Sequence, residues 1–143
     1  MIVLRNVLAV IAGLVVGGGF NMSLIVLGPM VIPPPLGVDV TDARSLSAGI
    51  HLLEARHFVF PFLAHALGTL AGALTAFFVA ASYGSALAFV VGAVSLAGGI
   101  AAAFMIPAPI WFIILDLAVA YLPMAWIGTA IGRRLKGAAV EHA

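Results

Sequence analysis

The sequence predicts an all-helical membrane protein: four transmembrane helices in an antiparallel bundle, with a short amphipathic helix in the one long connection. Three observations carry this expectation. The 143 residues are 64% hydrophobic and only 8% charged, whereas a soluble globular domain carries roughly 25% charged residues. Mean hydropathy is +1.27, so lipid must be the solvent for most of the surface. Finally, long apolar runs recur four times, separated by proline, glycine and polar breaks.

The same composition excludes several function classes. A formal net charge of +1, with six basic residues that form no broad patch, gives no basis for nucleic-acid binding. There is no cysteine, hence no disulfide, zinc–thiolate site or iron–sulfur cluster within the chain. No cofactor is expected.

Span one is expected over about residues 2–28. Its apolar run, from Val7 to about Ile32, exceeds a signal-peptide core of roughly 7–15 residues, so an uncleaved span is expected. At about 1.5 Å per residue it is longer than a ~30 Å hydrocarbon core and must tilt or project. Gly13, Gly17 and Asn21 recur every four residues on one face, where small residues let helix backbones approach closely in lipid. Gly28-Pro29 and then Pro33-Pro34-Pro35 are expected to end the helix.

Residues 33–57 form the one long polar connection and hold Asp39, Asp42, Arg44, Glu54 and Arg56. Thr41 or Asp42 is placed to cap a short helix. Leu46, Ile50 and Leu53 make a narrow apolar stripe opposite Arg44, Ser47 and His51, which suits a helix lying on the headgroups or a lid over the bundle. His51, Glu54, Arg56 and His57 are assigned to the outer mouth or gate.

Span two is expected over about 58–82, with His65, Gly68, Gly72 and Thr75 on one face. A Ser82-Tyr83-Gly84 turn leads into span three, about 85–106, where Ala88, Gly92, Ser95 and Gly99 form another small-residue stripe. Pro107-Ala108-Pro109 makes the next turn. Span four, about 110–131, carries Asp116 and Pro123 on one face and Gly128-x-x-x-Gly132 near its end. Gly13, Gly17, Gly68, Gly72, Gly92, Gly99, Gly128 and Gly132 are read as helix-packing positions. Trp111, Tyr121 and Trp126 are amphipathic aromatics, with Trp111 at an interfacial position. The whole chain forms one membrane domain.

Arg5 lies at one end of the chain and Arg133, Arg134 and Lys136 near the other. An even number of spans brings these ends to one side, which the positive-inside rule makes the cytoplasm. The expectation is a multi-pass protein of the bacterial inner membrane, both termini cytoplasmic and the long connection outside.

Three polar side chains then fall at one level in the outer half of the bilayer. His65 and Asp116 each lie about six or seven residues, roughly 10 Å, below the outer start of their helices, and Asn21 lies as far below Gly28. Asp116 is the one acid well inside a span, and such residues usually face a bundle interior or a watery cavity. With His65 it makes a couple able to take up and release protons or to hold a cation. Asp116, His65 and Asn21 are therefore the candidate polar intramembrane site. Glu54-x-x-His57 is one half of a carboxylate-bridged di-iron pattern, which needs a second copy that the sequence lacks. Zinc-protease, phosphate-loop and nucleophile-elbow motifs are absent.

The stretches VIPPPLGVDVTD, HFVFPFLAHALGTLAGA and PAPIWFIILDLAVAYLPMAWIG resemble those of small uncharacterised four-span bacterial integral membrane proteins. The likeness covers most of the chain and implies a four-span fold with no established activity. Small multidrug transporters also have four spans, but their membrane carboxylate is a glutamate in the first span, where this chain carries Asn21. Three functional readings remain. The first is a transport or permeation protein with a protonatable polar site. The second is a non-catalytic membrane subunit or lipid-binding scaffold, and the third, weakest, is a membrane-embedded metal-dependent enzyme. Membrane lipids, further copies of the chain or a partner membrane subunit are the expected partners.

Overall fold

The computed structural model describes residues 1–141; His142 lies outside the described residues. The chain is all-helical, with no strand among the described residues, and four of its helices are long and apolar enough to cross a membrane. Helix α1 covers Ile2–Val31, α2 Ala43–Gly49, α3 Val59–Val79, α4 Gly84–Met105, α5 Ile110–Val119 and α6 Leu122–Glu141, with 3-10 turns at Ile50–Leu52 and Ala55–Phe58.

Helix α3 is the hub, touching α1, α4, α5 and α6. Its glycines explain why. A Cβ built on Gly13 would stand 2.7 Å from the Gly72 carbonyl oxygen, and one on Gly72 2.6 Å from that of Gly13. Gly17 and Gly68 repeat the arrangement at 2.7 and 2.9 Å. The α1 and α3 backbones therefore touch directly, the close approach that small residues permit in lipid. Elsewhere a glycine makes room for a side chain: Gly28 for Phe60, Gly92 for Ala125, Gly132 for Phe77. Gly128 packs less tightly, its nearest neighbour being Ala73 at 3.3 Å. Gly18 and Gly19 meet nothing within 4 Å. Large apolar side chains such as Val15, Phe20 and Phe104 point outward, as expected where the outer surface meets lipid.

Two helix boundaries differ from expectation. Helix α1 does not stop at Gly28-Pro29 but runs through Pro29 to Val31. One missing N–H near the last turn removes a single rung, and Ile32 N–H still reaches Gly28 O at 2.8 Å. The stop comes from the three prolines that follow, which push Ile32 to extended dihedrals. Span four is not one rod either: it breaks at Ala120-Tyr121 into α5 and α6. Pro123, two residues on, has no N–H to offer the Val119 carbonyl, and its ring disfavours a continuous helix.

One end of the molecule is clasped by the basic residues. Arg5 Nε donates to Val79 O at 2.8 Å, and the Asn6 carboxamide accepts from the Ala81 and Ser82 N–H groups. Arg133 donates twice to Ser85 Oγ, while Lys136 reaches Phe77 O and lies 4.7 Å from the centre of the Phe77 ring. The start of α1 and the second half of α6 thus lie beside the α3–α4 turn. Tyr83 takes a left-handed φ of 56° in that turn.

In the long connection the Asp42 carboxylate caps α2, accepting the Ser45 N–H at 2.8 Å. Asp39 accepts both the Thr41 hydroxyl and the Thr41 N–H, and its own N–H donates to Ser45 Oγ. The Thr41 hydroxyl bond, then its backbone bond, hold the Asp39 carboxyl below its ordinary value. The support this gives the turn is thus present above the ordinary carboxylate pKa and lost as pH falls through the lowered one. Asp42→Ala is expected to cost about 1 kcal/mol locally. Faster amide exchange over residues 43–49, with α3 unchanged, would register that loss.

Candidate functional site

The site begins with where the helices put three side chains. Asp116 is on α5, four residues before the break, and is buried at 4% exposure. His65 is on α3, on the face that carries Gly68 and Gly72. Its Nδ1–H donates to the Asp116 carboxylate, 2.8 Å from Oδ1 and 2.9 Å from Oδ2. Tyr121 stands at the break, and its hydroxyl donates to Asp116 Oδ2 at 2.9 Å.

Tyr121 joins the site although the sequence marks it only as an amphipathic aromatic of span four. In an unbroken helix, residues five apart point about 140° away from each other. The break at Ala120-Tyr121 removes that constraint and turns the phenol back onto Asp116. The ring then needs room on α4, and Gly99 supplies it: a Cβ there would collide with the Tyr121 hydroxyl. The signal was present in the sequence as an acid, a tyrosine five residues on, and a proline two beyond that. Gly99→Ala is accordingly expected to displace the phenol and break its bond to Asp116. Tyr fluorescence and ultraviolet-difference spectra would report the change, with Gly98→Ala, which meets nothing within 4 Å, as the silent control.

The Asp116 carboxylate is ringed by donors, and no buried side-chain polar atom lacks a partner among the described residues. His65 is less enclosed, its side chain 23% exposed. With Nδ1 committed to Asp116, Nε2 is the ring nitrogen left for other chemistry. The imidazole and phenol rings lie nearly parallel, 5.8 Å between centroids.

His65 is also where two cavities meet. The first, about 250 Å³, lies under the long connection; its wall is mostly apolar and His65 and Asp116 are among its lining residues. Leu46, Ile50 and Leu53 of the connection line it, as do Ile25, Pro29, Phe60 and Phe112. The second, about 300 Å³, lies between α1 and α4 and is lined by Asn21, His65, Thr69, Ser95 and Tyr121 among others. His65, Gly99 and Ala102 belong to both walls. Asn21 therefore shares a cavity with His65 but makes no hydrogen bond to it or to Asp116 among the described residues.

The residues expected at the outer mouth divide. His57 accepts the Glu54 N–H on Nδ1 at 2.9 Å, so Nε2 carries the proton and donates to Pro33 O at 3.2 Å. The tautomer is assigned from these partners. Glu54 and His57 form a reciprocal cap on the 3-10 turn that leads into α3, a local role that accounts for the Glu-x-x-His spacing. His57 also lines the first cavity. Arg56 pairs with Glu54 at 3.1 Å, both side chains about two-thirds exposed, an arrangement that contributes little. His51 is exposed and faces neither cavity. Among the described residues no three His, Cys, Asp or Glu side chains group closely enough to hold a metal ion.

Chemically, a histidine fixed on one nitrogen by a buried carboxylate presents the other nitrogen as a proton acceptor or, once protonated, a donor. Compared with known proteins, the chain matches no family model, no curated protein and no solved structure.

Proposed function

We propose that this chain is a small transport or permeation protein of the bacterial inner membrane, in which His65, held by Asp116 and Tyr121, is the proton-exchanging group. The observation that carries the reading is the place of His65. It lines both cavities while Nδ1 is bonded to a buried carboxylate. His65, Gly99 and Ala102 are common to both walls, so the imidazole stands where the two spaces adjoin. The four long helices form an antiparallel bundle, and α2 acts as an amphipathic lid whose Leu46 roofs the first cavity. Both termini face the cytoplasm. The clustering of Arg5, Arg133 and Lys136 around residues 77–85 supports that orientation through the positive-inside rule.

One observation favours a second reading, a scaffold or membrane subunit. The Asp116 bonds tie α3 to the α5–α6 corner, which by itself would rigidify the fold. Liposome flux separates the two. With a pH-sensitive dye inside sealed vesicles, the transport reading expects proton movement with the wild-type chain and its loss in Asp116→Asn. Flux that survives the substitution unaltered would leave the scaffold as the better account.

A further inference from the structure

Taking that site as the place where solute binds, we propose that the cavity under the long connection takes a hydrophobic monovalent cation, such as an aromatic or alkyl amine, in exchange for the proton on His65. The argument starts with charge. Among the described residues lining the two cavities there is no Lys, Arg or Glu, and Asp116 is the one Asp. The titratable groups facing His65 are Asp116 from α5 and Tyr121 from the α5–α6 corner. His57 from the connection lines the same first cavity. The linings contributed by α1 and α4 contain none.

With His65 neutral, the pair carries one net negative charge. The two hydrogen bonds on the carboxylate stabilise that charge without cancelling it. A surrounding apolar wall screens it weakly, so the charge is felt across the cavity. An anion is repelled in this state, and when His65 is protonated it meets at best a neutral pair. A cation is attracted in the first state and released in the second. One positive charge enters as one proton leaves, so the exchange is electroneutral.

Shape and wall chemistry agree with an apolar body on that cation. The volume of about 250 Å³ is close to the lower end of small-ligand pockets, roughly 300 Å³. Phe58, Phe60 and Phe112 line it, with the Phe58 and Phe112 rings 4.8 Å apart. Aromatic faces attract cations, and more so where water is excluded. A strongly hydrated small ion would gain little from such a wall, whereas a quaternary or protonated amine with an aromatic group matches both features.

Benzyltrimethylammonium is the probe of choice, because its charge does not titrate and any pH dependence belongs to the protein. Binding to the full chain in nanodiscs is measured alongside neopentylbenzene, its neutral isostere, and benzylsulfonate, its anionic counterpart. The expected result is tightest binding of the cation, at least tenfold weaker binding of the neutral isostere, and none of the anion. Cation affinity should rise with pH, by at most about tenfold per unit, because one cation and one proton compete for the same negative charge. Asp116→Asn should abolish the preference for the cation. The wild-type comparison stands even if that variant fails to fold. Equal binding of cation and neutral isostere, preference for the anion, or affinity that is flat or falls with rising pH would overturn the proposal. Asp116-dependent proton flux without cation binding would also overturn it while leaving the transport reading intact. Cation binding with the expected pH dependence but no flux would uphold the ligand class and remove the transport role.

Discussion

Asp116→Asn is expected to reduce proton flux by at least tenfold while the protein remains folded. The substitution keeps the shape and one acceptor oxygen, so the Tyr121 hydroxyl or the His65 Nδ1–H can still be satisfied. It removes the charge that orients His65 through its Nδ1–H. In a soluble core, breaking a buried ion pair by removing one partner costs about 3–5 kcal/mol, because a buried charge is stranded. Here the remaining partner is a histidine, which can stay neutral and strand nothing. Intramembrane side-chain hydrogen bonds average roughly 0.6 kcal/mol, with a maximum near 1.7. A stability loss of about 1–2 kcal/mol is therefore expected, measured by denaturant unfolding in mixed micelles. The flux defect should far exceed what that loss would cause by unfolding.

Gly72→Ala is expected to destabilise the bundle by about 1–2 kcal/mol. Its Cβ would meet a backbone oxygen of α1 at 2.6 Å and a Val91 methyl at 3.1 Å. A flexible side chain could swing aside; the Gly13 carbonyl cannot move without moving α1. Forced insertion of a methyl into a packed interface costs about 1–3 kcal/mol. That exceeds the roughly 0.5–1 kcal/mol by which alanine improves on glycine within a helix. Gly18→Ala is the converse case. Nothing lies within 4 Å of that position, so the helical preference acts unopposed and stability should rise slightly. A loss at Gly72 beside a small gain at Gly18 would tie the cost to the contact rather than to glycine content.

These two residues also mark how far the sequence could be read. The spacing of Gly13, Gly17, Gly68 and Gly72 needs only helical periodicity to place each pair on one face, and all four lie at the α1–α3 contact. The proximity of His65 and Asp116 was legible for a different reason: polar groups inside spans seek each other and the bundle interior. The α5–α6 break was harder. Pro123 announces some distortion, but whether a proline kinks, breaks or merely tilts a helix depends on what the neighbours offer the freed carbonyl. Tyr121 was hidden behind that uncertainty, since only a broken helix lets it reach Asp116. Pro29 was over-read for a related reason: one proline in a last turn removes one hydrogen bond, whereas Pro33-Pro34-Pro35 forbids continuation. Glu54 and His57 were expected only at the mouth of the bundle; their mutual capping of the 3-10 turn went unread because a three-residue spacing serves a helix cap as well as a metal.

The electrostatic logic joins the parts. A glycine-lined contact brings α1 against α3, Gly99 makes room for the phenol, and the corner at Ala120 aims it at the carboxylate. Asp116 then holds His65 by one nitrogen, leaving Nε2 for the cavities.

The most direct measurement is nitrogen-15 NMR of the His65 imidazole in bilayers as bulk pH is varied. The account predicts that Nδ1 stays protonated and bonded to Asp116 throughout while Nε2 gains and loses its proton with the medium. An Nε2 that never titrates, or a proton that resides on Nε2 with Nδ1 bare, would mean a sealed structural pair and would contradict it.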